Sequence, residues 1–162
     1  MTISNINTTM GSSLVKNDIH IVFHIKYNSM EVRDEDLPQV FAYIGGIIKN
    51  LGGIPMAIGG IGNHIHILTT LPKSIALTEF VKRIKAYSSK WIKTLDSQYY
   101  EGFAWQAGYG AFSVNYDRLD TTANYIRTQA EHHHRTTWKD EYKQMLDENG
   151  VEYDERWAFE TD

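Results

Sequence analysis

The sequence predicts an α+β fold, and three observations carry that expectation. Apolar residues alternate with period two along residues 18–27 and again along 61–70. Apolar residues recur at helical spacing from Phe41 to Leu51 and from Leu77 to Leu95. Gly-Gly pairs and Pro72 punctuate these segments. In order they read β-α-β-β-α-β, followed by further helices. That order is the ferredoxin-like, split βαβ arrangement: an antiparallel sheet with helices on one face and extra C-terminal helices. Such a sheet can leave its other face open for a ligand.

Each element has its own signal. From Asp18 to Tyr27, Ile19, Ile21, Phe23 and Ile25 fall on one face, and His20, Val22, His24 and Lys26 on the other. The acidic cluster 31–36 places charge ahead of a helix with Pro38 in its first turn. Phe41, Ile44, Ile47, Ile48 and Leu51 form its stripe, and Gly52-Gly53 ends it. Residues 54–58, a Gly-rich turn and a His-Ile-His strand read as a hairpin closed by Pro72. The second helix runs over residues 77–95, with Leu77, Phe80, Val81, Ile84, Tyr87, Trp91 and Leu95 as its apolar stripe. A short fourth strand is expected at 112–114. A third helix starts near Leu119 or Asp120, with Asp120 or Thr121 as N-cap, and continues through Ala130. A last helix spans about 138–146, before the Asn149-Gly150 turn.

The 162 residues suit one domain with a single core. Residues 1–13 read as a flexible leader, 14–135 as the domain, and 136–162 as an acidic helical extension of it. There is no Cys, so neither disulfides nor thiolate metal sites are available. No apolar run reaches the ~18 residues of a membrane span, and residues 1–15 lack the apolar centre of a signal peptide. A cytoplasmic location is expected. The net charge of −4 is unevenly spread. Residues 140–162 carry nine acids and two bases, which leaves residues 1–139 at +3. Residues 73–93 hold six bases (Lys73, Lys82, Arg83, Lys85, Lys90, Lys93) and one acid, Glu79. A basic middle of this kind suits nucleic-acid phosphates, although a solvated helix face would look the same. Lys82, Lys85, Ser89 and Lys90 on the second helix are therefore candidate phosphate contacts, as is Arg127.

The stretch from Gly59 to Thr70 carries the chemistry. His64 and His66 share one strand face while Ile65 and Ile67 point to the core. Two imidazoles side by side on an exposed sheet face suit a divalent metal ion. The glycines just before them let another backbone, or a ligand's phosphates, come close. Tyr125 and Gln129 stand four residues apart, one turn along the third helix. The Gln129 amide oxygen can add a neutral ligand beside the imidazoles. A tyrosine hydroxyl, with its pKa of about 10, is a poor nucleophile that a nearby metal ion helps by polarising its phosphoryl target.

Together His64-Ile65-His66 and the run 124–129 resemble the single-tyrosine HUH transposases. These are the insertion-sequence-200-type enzymes and their relatives associated with repetitive extragenic palindromes (REP). The resemblance extends to His20-Ile21-Val22-Phe23, to residues 84–92 and 103–114, to Glu131-His132-His133, to the Glu141-Tyr142 helix and to residues 150–156. It covers about residues 14–159. It implies that His64, His66 and Gln129 bind Mg²⁺ or Mn²⁺. It implies that Tyr125 attacks single-stranded DNA at hairpin-marked ends, becoming linked to a 5′-phosphate and freeing a 3′-OH. It further implies a homodimer in which the tyrosine helix of one subunit serves the histidine pair of the other. His132 and His133 are candidate auxiliary residues for acid/base work or phosphate contact. Gly62-Asn63 and His24-Ile25 depart from the common family pattern without removing a catalytic group. A related replication or relaxase-like nuclease, a domesticated relative, and a binding-only single-stranded nucleic-acid module are the competing readings.

Overall fold

A computed structural model describes residues 11–132 and 135–159. Most of the expected leader lies outside those residues, as does His133. Four strands form one antiparallel sheet in the order β2-β3-β1-β4: β1 Asp18–His24, β2 Pro55–Ile61, β3 His64–Thr70 and β4 Gly110–Ser113. Helices α1 (Leu37–Asn50) and α2 (Leu77–Leu95) follow β1 and β3. This is the expected split βαβ order, and α2 has the predicted bounds.

The period-two pattern of β1 decides which side each residue serves. Ile19, Ile21, Phe23 and Ile25 are buried under α1 and α2, with Ile44, Ile48, Phe80, Ile84 and Ile65 in the same cluster. Each such aliphatic or aromatic side chain contributes roughly 1.5–3 kcal/mol on leaving water. The acidic cluster ahead of α1 works differently from expectation. Asp36 makes no side-chain cap; it accepts from the Arg33 Nε at 3.0 Å and from the Tyr100 hydroxyl at 2.7 Å.

The other face of the sheet is not open. Helices α3 (Leu119–Arg127), α4 (Gln129–His132) and α5 (Trp138–Glu148) cover it, and α6 (Glu155–Ala158) follows. Ala123 and Ile126 of α3 close over Ala57 and Leu68. Tyr142, Met145 and Leu146 of α5 close over Val22 and Phe112. Gly59 makes the first contact possible, because a Cβ there would run into the Ile126 carbonyl. Gly110 plays the same part under the Tyr142 ring, which would lie 2.8 Å from an added Cβ.

The single third helix expected through Ala130 is broken at Thr128. The Thr128 hydroxyl donates back to the Asn124 carbonyl at 2.9 Å, a competing bond that bends helices. Helix α3 begins at Leu119 after a 3₁₀ turn, Tyr116–Arg118, and has no side-chain cap. Asp120 therefore lies in its first turn. Helix α5 is capped by Thr137, which accepts from the Asp140 N–H at 3.2 Å.

Candidate metal and tyrosine site

Strand register sets the site. Val22 of β1 faces His66 of β3, His24 faces His64, and His20 faces Leu68. His20, His64 and His66 therefore project from the face under α3–α5. Both HUH rings are fully buried, which corrects the expectation of an exposed pair. The reason lies outside the strands: the C-terminal helices that cap this face come from distant sequence.

Each ring has one nitrogen on a neighbour and one toward a shared centre. His64 Nδ1 lies 2.7 Å from Asn63 Oδ1, and its Nε2 lies 3.0 Å from Gln129 Oε1. His66 Nδ1 lies 2.8 Å from His20 Nε2. His66 Nε2 lies 3.0 Å from Glu141 Oε1, and His64 Nε2 lies 3.5 Å from Glu141 Oε2. Gln129 donates to Glu141 Oε1 at 2.9 Å. The Tyr125 hydroxyl donates to that same oxygen. The Tyr125 ring stands 5.7 Å from the His66 ring and 5.0 Å from the His132 ring. Trp138 roofs the centre, 4.7 Å from the His64 ring and 5.1 Å from the His24 ring.

The electrostatics follow from burial and these bonds. Burial pushes the Glu141 carboxyl up, but hydrogen bonds from His64 and His66 outweigh it and hold the group well below the usual carboxylate range. Burial raises the Tyr125 hydroxyl above its ordinary value, and its bond to ionised Glu141 raises it further. Burial, with His66 alongside, lowers His20 to about 3, so its ring is neutral at physiological pH.

Ligand atoms of His64, His66 and Glu141 all lie within 4.8 Å of one another. Two imidazoles and a carboxylate, without thiolate, fit a hard or borderline divalent ion. An ion there would replace the protons these groups now share. Gln129 adjoins the cluster by bridging His64 to Glu141.

Glu141 is the residue that sequence reasoning missed as part of the site. It sits in the acidic C-terminal stretch, where a carboxylate reads as solvated. The signal was its position: Glu141 shares the buried face of α5 with Tyr142, Met145 and Leu146. An acid on an apolar stripe needs a partner.

The other candidates are scattered. His132 is exposed and meets the Thr128 hydroxyl at 3.0 Å. Arg127 is exposed and donates to the Met56 carbonyl at 3.3 Å. Lys82 and Lys90 are exposed on α2, across the sheet from the histidines, and Ser89 is half-buried there. Lys85 instead donates to the carbonyls of Gln106 at 2.9 Å and Ala107 at 3.3 Å, and to that of Gly108. Its charge thus holds the 106–108 loop. Tyr125 stands over its own chain's histidines, whereas the family resemblance led us to expect it over a partner's. The segment between β4 and Tyr125 contains the 3₁₀ turn Tyr116–Arg118, and Leu119 at its end packs on the cluster beneath α3.

A buried His-X-His pair on a ferredoxin-like sheet, with a tyrosine hydroxyl on the same carboxylate, defines a histidine–tyrosine site of the HUH class. Residues 13–129 match the family described as "Transposase IS200 like", and the chain belongs to that family. Two solved structures are similar in fold. One is a candidate transposase from Deinococcus radiodurans R1, with a TM-score of 0.58 and 19% identity, covering 74% of this chain and 95% of that one. The other is a REP-associated tyrosine transposase bound to a REP hairpin, with a TM-score of 0.54 and 13% identity, covering 76% of this chain and 74% of that one. No curated protein matches the chain. Among the described residues no helix is long and apolar enough to cross a membrane.

Proposed function

We propose that this transposase cleaves and rejoins single-stranded DNA at hairpin-marked ends through a 5′-phosphotyrosine link, with His64, His66 and Glu141 holding Mg²⁺ or Mn²⁺ and Gln129 beside them. The observation that carries the reading is the convergence of the Tyr125 hydroxyl and His66 Nε2 on one Glu141 oxygen. A divalent ion bound there would polarise a phosphoryl oxygen of the DNA.

The chain's own groups do the rest. The Tyr125 oxygen attacks phosphorus as its proton leaves to solvent, while Glu141 stays ionised in the ligand cluster. The phosphorus–O3′ bond breaks, and the departing oxygen takes a proton from solvent to become the 3′-OH. Asn63 holds the His64 ring through Nδ1, and Trp138 covers the cluster. A 3′-OH returning to the phosphotyrosine would reverse these steps and rejoin the strand. Phosphate contacts away from the centre are assigned to Lys82 and Lys90.

In this reading one chain holds a complete cleavage site. A dimer sharing tyrosines in trans would require α3 to leave β2. A 5′-labelled hairpin oligonucleotide with Mn²⁺ tests the reaction. The expected product is a shortened labelled strand that a polymerase can extend from its 3′-OH. A product that cannot be extended, or cleavage that persists in EDTA, would defeat the proposal.

A further inference from the structure

We infer that His20 is the positioning residue for His66, holding its ring by a side-chain hydrogen bond so that Nε2 is delivered to the ligand cluster. The inference rests on the metal-binding reading above. His66 Nε2 is the nitrogen that faces Glu141, at 3.0 Å, so it is the one that would ligate. An imidazole ligand must be unprotonated at the ligating nitrogen, which leaves the proton of a neutral ring on the other. That other nitrogen, Nδ1, lies 2.8 Å from His20 Nε2. His64 is handled similarly, but by its chain neighbour: its Nδ1 lies 2.7 Å from Asn63 Oδ1.

The His20 partnership is a product of the fold. His20 faces Leu68 in the β1–β3 register, so it meets His66 on the diagonal, two residues along β3. Its own ring is fixed edge-on by Phe112 at 6.2 Å and by Tyr125 at 6.4 Å, and it is only 7% exposed. An imidazole suits this position because it serves in both directions. Without metal, His66 can donate from Nε2 to Glu141 while His20 donates to Nδ1. With Nε2 ligated, His66 Nδ1–H donates and His20 Nε2 accepts, its own proton moving to Nδ1. The bond reverses and the ring stays in place. A Gln side chain can offer the same choice through its amide oxygen or nitrogen; a Phe fills the space and offers neither.

Two measurements test this. In ¹⁵N-labelled wild-type protein without metal, a through-hydrogen-bond ¹⁵N–¹⁵N coupling is expected between His20 Nε2 and His66 Nδ1; its absence would overturn the assignment. Mn²⁺ affinity, read by electron paramagnetic resonance, should fall about 10- to 100-fold in His20→Phe, the range for loss of an outer partner of a ligand. It should stay close to wild type in His20→Gln. A folded His20→Phe protein that binds Mn²⁺ as tightly as wild type would also overturn it. If wild-type protein binds no Mn²⁺ while the coupling is present, the metal reading fails and the His20–His66 partnership stands.

Discussion

The Tyr125 hydroxyl and the His66 imidazole meet on a single carboxylate oxygen of Glu141. Tyr125 and His66 come from α3 and β3, and Glu141 comes from α5, beyond the stretch 13–129 that matches the family. The C-terminal helix is therefore part of the site.

Glu141→Ala should remove the Mn²⁺ response of the protein. A ligand present at 100 times its Kd stabilises by about 2.7 kcal/mol, and thermal unfolding with and without Mn²⁺ reads that gain. The variant should show no gain. It should also lose about 1–3 kcal/mol without metal, because the Tyr125 and Gln129 donors lose their acceptor. An undiminished Mn²⁺ shift in Glu141→Ala would remove the residue from the ligand set.

His66→Ala should abolish cleavage and also weaken the fold. The ring is fully buried and hydrogen-bonded to His20. Removing it leaves a cavity and an unmatched buried group, together about 2–4 kcal/mol. Urea unfolding measures this. A variant as stable as wild type would mean that the helices over this face do not pack as described.

Gly59→Ala should destabilise by about 1–3 kcal/mol and slow cleavage, because the new methyl meets the Ile126 carbonyl one residue from Tyr125. Gly46→Ala on α1 is the contrast. Its Cβ would meet nothing within 4 Å, so it should stabilise by about 0.5–1 kcal/mol through helix propensity. Equal effects of the two changes would contradict the α3–β2 packing.

Much of this site was legible in the sequence, for definable reasons. Period-two alternation placed His64 and His66 on the same face and Ile65 and Ile67 in the core. The stripe from Leu77 to Leu95 gave α2 its bounds. Tyr125 and Gln129 were found by spacing and resemblance, and they do converge on the histidines. What escaped depends on contacts between distant segments. The break at Thr128 comes from one hydroxyl choosing a carbonyl. The cover over the second sheet face depends on the absent Cβ atoms of Gly59 and Gly110. Glu141 looked like one acid among nine.

Acid should destabilise the metal-free protein partly through His20. Its folded-state pKa of about 3 lies below the ordinary 6.5. The unfolded chain therefore binds the proton first, and stability rises with pH across that window. The contribution is complete above about pH 6.5 and is lost progressively toward pH 3, at up to about 1.4 kcal/mol per unit. Unfolding in EDTA at pH 7 and pH 5 should show a smaller loss for His20→Gln than for wild type. Equal losses would contradict a buried neutral His20.

Covalent trapping at Tyr125 tests the central claim most directly. Wild-type protein, a hairpin oligonucleotide and Mn²⁺ should give a protein–DNA adduct that survives denaturation. Mass spectrometry of the digested adduct should place the nucleotide on the peptide containing Tyr125. Mixing Tyr125→Phe with His64→Ala/His66→Ala, subunit exchange confirmed, should give no adduct if each chain carries its own site. An adduct on another residue, or one that forms undiminished in Tyr125→Phe alone, would contradict the assignment of the nucleophile; an adduct restored only by mixing would contradict the site within one chain.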